Sequence, residues 1–378
     1  MFYIAPNGDG DGRSWDTAAS LLSLDDLIRD LEPGGEILIA ADRGEYRPTA
    51  VDISAGGKEG QIVRVRGVNS TTGEPMLAVL RGNRGGGEAG DEGFRLLRGA
   101  DRLHFSHFDF RDIGNGCFRA GGPISKLTIE DCAFENVYRF FENTAVGDER
   151  GASVREFALR RCQGSGVERG FSRIRYASRD GLIEDCLARG LANEGGAIPA
   201  GCALDDRAGR ITYRRCVMEG FQQWRAGGYW NGDGFSDEEE NRGIRYEACT
   251  ARSSTDGGFD CKSRDVVLQD CIAEDNKRNF RLWSDSATLA GCTSRNPNFR
   301  GREVEDADSC HIWIGGERRP RIAISDLTIE DREATQIFEF EHDRADVEIR
   351  GVTIRTPALN WGASVRAGDG DVLIAVPE

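Results

Sequence analysis

The feature that most constrains the fold of this chain is a short phrase that recurs and ends in cysteine. Its copies read LTIEDC, FALRRC, GLIEDC, ITYRRC, IRYEAC, VVLQDC and ATLAGC. They end at Cys132, Cys162, Cys186, Cys216, Cys249, Cys271 and Cys292, with spacings of 30, 24, 30, 33, 22 and 21 residues. Within each copy apolar and polar residues alternate, which is the period-two pattern of a strand that buries one face.

Such a repeat, with no helical segment between its copies, predicts an all-β solenoid in which each repeat forms one turn. Related phrases around Phe108, Leu327 and Val352 extend the pattern without the cysteine. We therefore predict a single β-helix domain over residues 1–378. The cysteines of the phrase are predicted to form a buried column of reduced thiols, because free cysteine is among the most buried residue types.

The two ends and the loops fit this architecture. Residues 20–31, SLLSLDDLIRDL, have the apolar spacing of an amphipathic helix and precede PGGE, a stop signal. A solenoid needs its apolar end covered, so this helix is predicted to be the N-terminal cap. Residues 217–242 are predicted to be an insertion that lines a groove, because insertions beside one sheet usually build a binding face.

Composition and charge exclude several partners. The net charge of −15 argues against nucleic acid, since phosphate binding needs a basic face. No apolar run is long enough to span a membrane. The opening MFYIAPNGDGDG has no features of a signal peptide, so we expect a secreted or periplasmic location only if such a segment was trimmed. Without a CxxC pair, and with only four histidines, a zinc site is not expected.

A second strand follows each phrase, and its register predicts which side chains face outward. We expect five residues to point into the solenoid, namely Cys202, Phe235, Phe259, Phe280 and Cys310. Side chains alternate along a strand, so the next residues should form an outward column of Ala203, Ser236, Asp260, Arg281 and His311. A neighbouring outward column should hold Asp205, Glu238, Lys262, Trp283 and Trp313.

Particular segments add a family resemblance. The stretches YIAPNGDGDGRSWDTA, PGGEILIA and IVRVRG resemble the start of secreted right-handed parallel β-helix proteins. Residues 231–283 are similar to the family 9 polysaccharide lyases, which are calcium-dependent pectate lyases. Three short motifs carry this similarity, and in this chain they read NGDGF, DGGFD and RNFRL. The resemblance implies a single-stranded right-handed parallel β-helix, and a calcium-assisted lyase that acts on an acidic, uronic-acid-containing glycan.

The resemblance also implies roles for individual residues. Asp233, Asp256 and Asp260 match the family's calcium ligands, and Arg281 stands where the family has its proton-abstracting lysine. The chain departs from the family at this position and at Gly257, where the family has a second aspartate. The residues also favour calcium by themselves, since Asp233 and Asp256 lie about one coil apart and calcium prefers carboxylate oxygens. The alternatives are that these segments are ordinary turns and that Arg281 simply pairs with Asp260.

In the implied β-elimination, calcium binds the substrate carboxylate and a base removes the neighbouring proton. Arg281 is the candidate base by position, although arginine is almost always protonated. Lys262 and His311 are rival candidates, because they flank it in the predicted columns.

Aromatic and basic side chains around these residues predict a sugar-binding groove. Their apolar faces can stack on sugar rings, and cations can hold an acidic glycan on an acidic protein. The candidate substrate-binding residues are Trp224, Tyr229, Trp230, Trp283, Trp313 and Arg278. Two functions besides the lyase stay open, a non-catalytic glycan-binding β-helix and a metal-independent glycoside hydrolase that uses paired aspartates.

Overall fold

The computed structural model describes residues 1–194, 197–301, 309–316, 319–341 and 345–362. The chain divides into two compact units, Met1–Leu187 and Ala188–Glu378. Each unit consists of parallel strands stacked coil upon coil, so the prediction of a parallel β-helix is confirmed. The prediction of a single domain over residues 1–378 stays a prediction.

The first unit contains one 3-10 helix, one α-helix and fifteen described strands. The helices are Leu21–Ser23 and α1 (Leu24–Asp30). The strands are β1 (Phe2–Ile4), β2 (Glu36–Ala40), β3 (Val51–Ile53), β4 (Val63–Val68), β5 (Ala78–Arg81), β6 (Phe94–Leu96), β7 (Leu103–Ser106), β8 (Phe108–Ile113), β9 (Phe118–Ala120), β10 (Ile124–Ser125), β11 (Leu127–Glu130), β12 (Ala133–Asn143), β13 (Val154–Arg160), β14 (Gln163–Ile174) and β15 (Arg179–Glu184).

A continuous apolar column shows how the sequence pattern becomes a core in this unit. Strands β1, β2, β4, β7, β11, β13 and β15 pair in parallel. Their register stacks Phe2, Ile37, Val65, Phe105, Ile129, Leu159 and Ile183, all of which are buried. Each strand therefore adds one apolar residue to the column, as the alternation predicts.

The predicted N-terminal helix is present and short. The 3-10 turn begins after Ser20, whose hydroxyl accepts a hydrogen bond from the N–H of Leu22. Three apolar side chains of α1 are buried, namely Leu24, Leu27 and Ile28. A carboxylate oxygen of Asp25 accepts hydrogen bonds from the backbone of the segment after β3, which fixes the helix to the first coils. No helix in the described residues is long and apolar enough to cross a membrane.

The second unit contains eighteen described strands, and β16 (Leu187–Gly190) begins at the last residue of the first unit. The eighteen are β17 (Asn193–Glu194), β18 (Ala200–Leu204), β19 (Gly209–Arg214), β20 (Val217–Glu219), β21 (Gln223–Trp224), β22 (Asp233–Asp237), β23 (Arg242–Glu247), β24 (Thr250–Arg252), β25 (Gly257–Cys261), β26 (Asp265–Gln269), β27 (Ile272–Glu274), β28 (Arg278–Leu282), β29 (Ser286–Ala290), β30 (Thr293–Arg295), β31 (Cys310–Ile314), β32 (Arg321–Glu330), β33 (Gln336–Phe340) and β34 (Asp346–Arg355).

One row of strands in this unit carries most of the candidate residues, and we call it the site ladder. It consists of β18, β22, β25, β28, β31 and β33, paired in that order. Its buried column is Cys202, Phe235, Phe259, Phe280, Ile312 and Phe338. Four of the five expected inward residues hold their expected places in this column. The fifth, Cys310, is buried as expected, but Ile312 occupies the place in the column that was expected for it. A slip of two residues preserves the alternation, so the sequence pattern does not reveal it.

The cysteines confirm their predicted structural role. All eleven are buried and free of disulfides. Within the repeated phrase, the residue before each cysteine lies in the left-handed region, with φ between 48° and 65°. These residues are Asp131, Arg161, Asp185, Arg215, Ala248, Asp270 and Gly291. The phrase is therefore a strand, then a sharp left-handed corner, then a cysteine that packs inside that corner.

The segment predicted as an insertion, residues 217–242, includes regular strands. Strand β20 starts it and β22 lies near its end, and both pair with the following coil. The irregular part is the connection 220–232, which contains the short strand β21. This connection supplies Tyr229 to the site described below.

Candidate functional site

The site ladder places polar side chains of consecutive coils in register. Ser236 pairs with Asp260, Asp260 with Arg281, and Arg281 with Trp313. The predicted outward column is therefore confirmed for Ser236, Asp260 and Arg281. Because adjacent strands lie about 4.8 Å apart, side chains on neighbouring coils can contact each other directly.

Three aspartates come together at this point of the ladder. Asp233 begins β22, Asp256 precedes β25 and Asp260 lies within β25. All three are buried, with exposed fractions of 5%, 0% and 2%. The cluster of three carboxyl groups expected from the sequence is therefore present.

Cations of the protein itself bind two of these carboxylates. The Nη1 atom of Arg281 lies 3.1 Å from Oδ2 of Asp256 and 3.7 Å from Oδ2 of Asp260. The Nη1 atom of Arg278 lies 3.2 Å from Oδ1 of Asp256, and Nζ of Lys262 lies 3.0 Å from Oδ2 of Asp260. The predicted alternative, in which Arg281 pairs with Asp260, is thus present and includes Asp256 as well.

Tyr229 closes the cluster from the connection 220–232. Its hydroxyl donates a hydrogen bond of 2.5 Å to Oδ1 of Asp256 and accepts one of 2.9 Å from Nη1 of Arg278. Burial and the charge of Asp256 raise the pKa of the phenol, so it stays a neutral donor. Tyr229 was predicted to contact substrate, and the structure gives it the additional role of orienting Asp256.

Asp233 differs from the other two aspartates in its partners. Its Oδ1 atom accepts a hydrogen bond of 2.8 Å from the N–H of Gly257. In the described part of the chain it forms no ion pair. Burial, together with the charges of Asp260 and Asp256, raises the pKa of Asp233 well above its usual range. The cluster therefore combines one carboxyl group that favours its protonated form with two that are paired with cations.

Gly257 explains why one expected carboxylate is missing. A Cβ atom at this position would lie 2.8 Å from Oδ1 of Asp233 and 3.1 Å from Cβ of Asp260. A contact under 3 Å would displace the Asp233 carboxyl group and break its hydrogen bond with the Gly257 N–H. The glycine is thus required by the close approach of Asp233 and Asp260.

Neither predicted cationic base has the properties of a base in this arrangement. Burial alone would lower the pKa of Arg281, but the carboxylates of Asp260 and Asp256 outweigh it and raise the pKa. The same balance raises the pKa of Lys262, where Asp260 and Glu238 are the dominant charges. Both side chains are therefore held in their charged forms, which suits binding an anion rather than removing a proton.

The third candidate base, His311, was placed incorrectly. It is fully buried, and its Nδ1 atom lies 2.8 Å from the hydroxyl of Ser294, which also accepts a hydrogen bond from Asn279. Strict alternation would turn His311 outward. On these coils, however, the residue immediately before the inward position of the buried column also faces the interior. His311 is therefore part of the core of the second unit.

Two of the predicted aromatic residues pack against Arg281. The rings of Trp283 and Trp313 lie 4.5 Å apart, and the Arg281 guanidinium lies 4.4 Å and 5.1 Å from their centroids. Trp313 is only 4% exposed, so it supports the arginine and is not a platform for sugar. It also lies in the Arg281 column instead of the neighbouring one, which corrects its predicted register. Trp283 is half-buried and borders the outer surface.

The remaining predicted aromatics lie on the connection 220–232. Trp224 is exposed and meets Trp230 edge to face, with centroids 6.3 Å apart. The indole N–H of Trp230 donates to the backbone carbonyl of Arg225, and its ring packs against Gly301. Trp224 is thus the better candidate for stacking on a sugar ring.

Sequence analysis did not identify Asp237 as a functional candidate. It is fully buried and accepts hydrogen bonds from the backbone N–H groups of Lys262 and Ser263 and from the hydroxyl of Tyr246. Burial raises its pKa to about 6. The sequence did contain a signal for this residue. Asp237 lies two residues after the inward-facing Phe235, so alternation predicts that its carboxyl group also faces the interior.

Comparisons with known proteins show a likeness of fold. No protein-family model matches the chain, and no curated protein matches it in sequence. Among solved structures, pectate lyase Pel9A superposes with a TM-score of 0.57 at 14% identity, covering 91% of this chain and 78% of its own. The shared feature is a parallel β-helix. The catalytic domain of Agl-KA gives a TM-score of 0.61 at 9% identity, covering 94% of this chain and 65% of that one.

A GH136 lacto-N-biosidase from Eubacterium ramulus is a third similar structure. It gives a TM-score of 0.54 at 10% identity, and the match covers 93% of this chain and 68% of the enzyme. The chain thus spans about two thirds of the length of two of these three proteins. At such low identity the comparisons establish the parallel β-helix and leave the residues of the site to be judged by their own geometry.

Calcium does not fit the side chains as they are arranged. Among the described residues, no group of three or more His, Cys, Asp or Glu side chains is positioned to hold a metal ion. Calcium prefers six to eight oxygen ligands. Here the Arg281 guanidinium lies between the carboxylates of Asp256 and Asp260, and Lys262 approaches Asp260 as well. A metal ion would have to displace these cations.

Proposed function

We propose that this protein is a carbohydrate-active enzyme that hydrolyses an acidic glycan with Asp233 as its general acid. The observation that carries the proposal is the unequal pairing of the three aspartates. Asp256 and Asp260 each contact cations, whereas Asp233 forms no ion pair with any described residue. Glycoside hydrolysis needs one protonated and one ionised carboxyl group, and environments that separate two pKa values provide such a pair.

The proposed reaction divides the work between two carboxyl groups. Asp233 donates its proton to the oxygen of the scissile glycosidic bond, so the leaving sugar departs as a neutral alcohol. Asp260 is the ionised partner, as the carboxylate that attacks the sugar or activates a water molecule. Its Oδ1 atom is buried and has no hydrogen-bond partner among the residues described. Lys262 and Arg281 hold the other oxygen of Asp260, which fixes the carboxylate plane.

Charged side chains at the partly exposed edge of the site support an acidic substrate. Lys262 and Arg281 retain partial exposure and stay charged, and Trp283 lies beside both. Cations next to an indole ring suit a sugar that carries a carboxylate. The likeness in fold to a pectate lyase and to a lacto-N-biosidase supports a glycan substrate.

A second candidate is β-elimination, the reaction implied by the family resemblance. It is favoured by the placement of Lys262 and Arg281, which can neutralise a uronate carboxylate and so acidify the neighbouring proton. In this form the two cations take the role that the resemblance assigns to calcium.

The decisive experiment follows both products on the same acidic glycans. The protein is incubated with polygalacturonate and with alginate in the presence of EDTA, and reducing ends and near-ultraviolet absorbance are recorded. Hydrolysis gives reducing ends without absorbance, and elimination gives both. Binding without either product supports the non-catalytic alternative, and the absence of binding and products for every acidic glycan tested overturns the proposal.

A further inference from the structure

The cluster of aspartates already contains a positive charge at its centre. One atom, Nη1 of Arg281, lies within 3.7 Å of Oδ2 of both Asp256 and Asp260. Asp256 directly precedes β25 and Asp260 lies within it, and the two residues are 0% and 2% exposed. Two buried carboxylates this close repel each other strongly unless a cation lies between them. Arg281 supplies that cation from the next coil.

Two aromatic rings also pack against Arg281. The indole rings of Trp283 and Trp313 both lie within about 5 Å of its guanidinium carbon, in the range of cation–π contacts. Indole rings attract a guanidinium through their faces but offer no oxygen to a metal ion. The guanidinium therefore contacts both carboxylates and two aromatic rings.

Neighbouring groups of the protein contact the same two carboxylates. Arg278 and the hydroxyl of Tyr229 contact Oδ1 of Asp256, and Lys262 contacts Oδ2 of Asp260 at 3.0 Å. Hard divalent cations prefer the same oxygens, and the Arg281 guanidinium, which contacts both carboxylates, occupies the place that such an ion would take.

We propose that Arg281 is a built-in substitute for a divalent cation, so that the carboxylate cluster is metal-independent and becomes a calcium site when Arg281 is removed. The proposal concerns what holds the cluster together and goes beyond the proposed reaction. Calcium bonds to oxygen at about 2.4 Å. An ion in place of Nη1 would therefore need only a small inward shift of the two carboxylates, with Asp233 nearby as a further ligand.

The test compares the thermal stability of wild type and Arg281→Ser with EDTA and with calcium chloride. The wild-type Tm is expected to be the same under both conditions. In Arg281→Ser, saturating calcium is expected to raise Tm by about 5 °C, as for a ligand at roughly 100 times its Kd. Titration calorimetry with calcium should show heat of binding for the variant only. These readouts do not depend on catalysis, so they stand apart from the success or failure of the proposed reaction.

Two controls separate the loss of this cation from the loss of any arginine. Arg281→Lys keeps a positive charge and should not respond to calcium. Arg295→Ser removes an arginine of the same unit whose ion pair with Glu330 lies outside the cluster, and it should not respond either. If Arg281→Ser does not fold under either condition, Arg281→Gln is compared in the same way. The proposal is overturned if EDTA lowers the wild-type Tm, or if the folded variant shows no calcium response.

Discussion

Charged residues line a strand ladder in each unit, and they are paired differently. In the first unit, β3, β6, β9 and β12 place Asp52, Arg95, Arg119 and Glu142 in one column. Each carboxylate of this column faces an arginine, and Glu92 is shared by Arg95 and Arg119. In the site ladder of the second unit, Asp233 has no such partner among the described residues.

The pKa values follow this difference. Burial would raise the pKa of Glu92, but hydrogen bonds from Asn115 and Arg95 outweigh it and lower the pKa. For Asp233 burial dominates, and the neighbouring aspartates add to it and raise the pKa. The paired charges of the first unit therefore have a structural role. In the site ladder, the acid without an ion pair, Asp233, is a candidate for proton transfer.

The largest expected effect comes from removing the unpaired acid. Asp233→Asn keeps the oxygen that accepts from Gly257 but cannot donate a proton, so kcat should fall by about 10²- to 10⁴-fold. The matched control is Glu92→Gln, which should leave kcat unchanged. Initial rates on the cleaved glycan, with circular dichroism to confirm folding, make the measurement. Equal losses in both variants would remove the distinction between the two ladders.

The next effect concerns stability and pH, through Asp237. Its folded-state pKa of about 6 lies above the ordinary value of 3.8. As pH rises, the unfolded chain therefore loses this proton at a lower pH than the folded protein, and the folded state becomes less stable relative to the unfolded state. Wild type should lose about 3 kcal/mol of unfolding free energy from this group between pH 4 and pH 6. In Asp237→Asn that share of the loss should be absent.

Urea unfolding of wild type and Asp237→Asn at pH 4 and pH 7 measures the difference. If the two proteins lose the same stability over this range, the raised pKa of Asp237 is refuted. Glu92 has the opposite sign, since its lowered pKa stabilises the fold at neutral pH and the contribution disappears as pH falls below its folded-state value.

A smaller effect is expected from filling the space at Gly257. Gly257→Ala puts a methyl group 2.8 Å from Oδ1 of Asp233, which should cost about 1–3 kcal/mol of stability and reduce activity. Gly85→Ala is the control, because a Cβ atom there meets no described atom within 4 Å. Thermal unfolding of both variants decides the matter, and an unchanged Tm for Gly257→Ala would contradict the close approach.

The smallest effect belongs to the paired ladder of the first unit. Asp52→Asn removes a half-exposed ion pair with Arg95 at 3.0 Å. Such pairs contribute about 0–1 kcal/mol, so Tm should barely change and activity should not change. A large loss of stability would show that these pairs carry more of the fold than their exposure suggests.

Much of the fold could be predicted from the sequence because the solenoid repeats its physical requirements in every coil. The alternation identified the strands, and the inward column from Cys202 to Phe280 was assigned correctly. The register failed at His311 and Trp313, because a slip of two residues leaves the alternation of inward and outward side chains unchanged.

The three aspartates, Arg281 and Lys262 were predicted from the sequence as members of the candidate site. Of their contacts, the sequence predicted the pairing of Arg281 with Asp260 and not the contact of Arg281 with Asp256. The spacing of about one coil between Asp233 and Asp256 was enough to predict that these two residues and Asp260 lie together. The position of Arg281 between two carboxylates depends on side-chain length and on the support of Trp313, which one-dimensional spacing does not encode. The inward direction of Asp237 was encoded by alternation, but an acidic residue in a core is rare enough to be passed over.

The coil-upon-coil pairing also determines how the site can assemble during folding. The ion pair between Arg281 and Asp256 spans 25 residues, and the hydrogen bond between Arg278 and Tyr229 spans 49. Contacts of such modest sequence separation require closure of only short loops. The carboxylate cluster can therefore form when the few coils between Tyr229 and Trp283 have stacked, and its assembly is a local folding event rather than a final step of the whole chain.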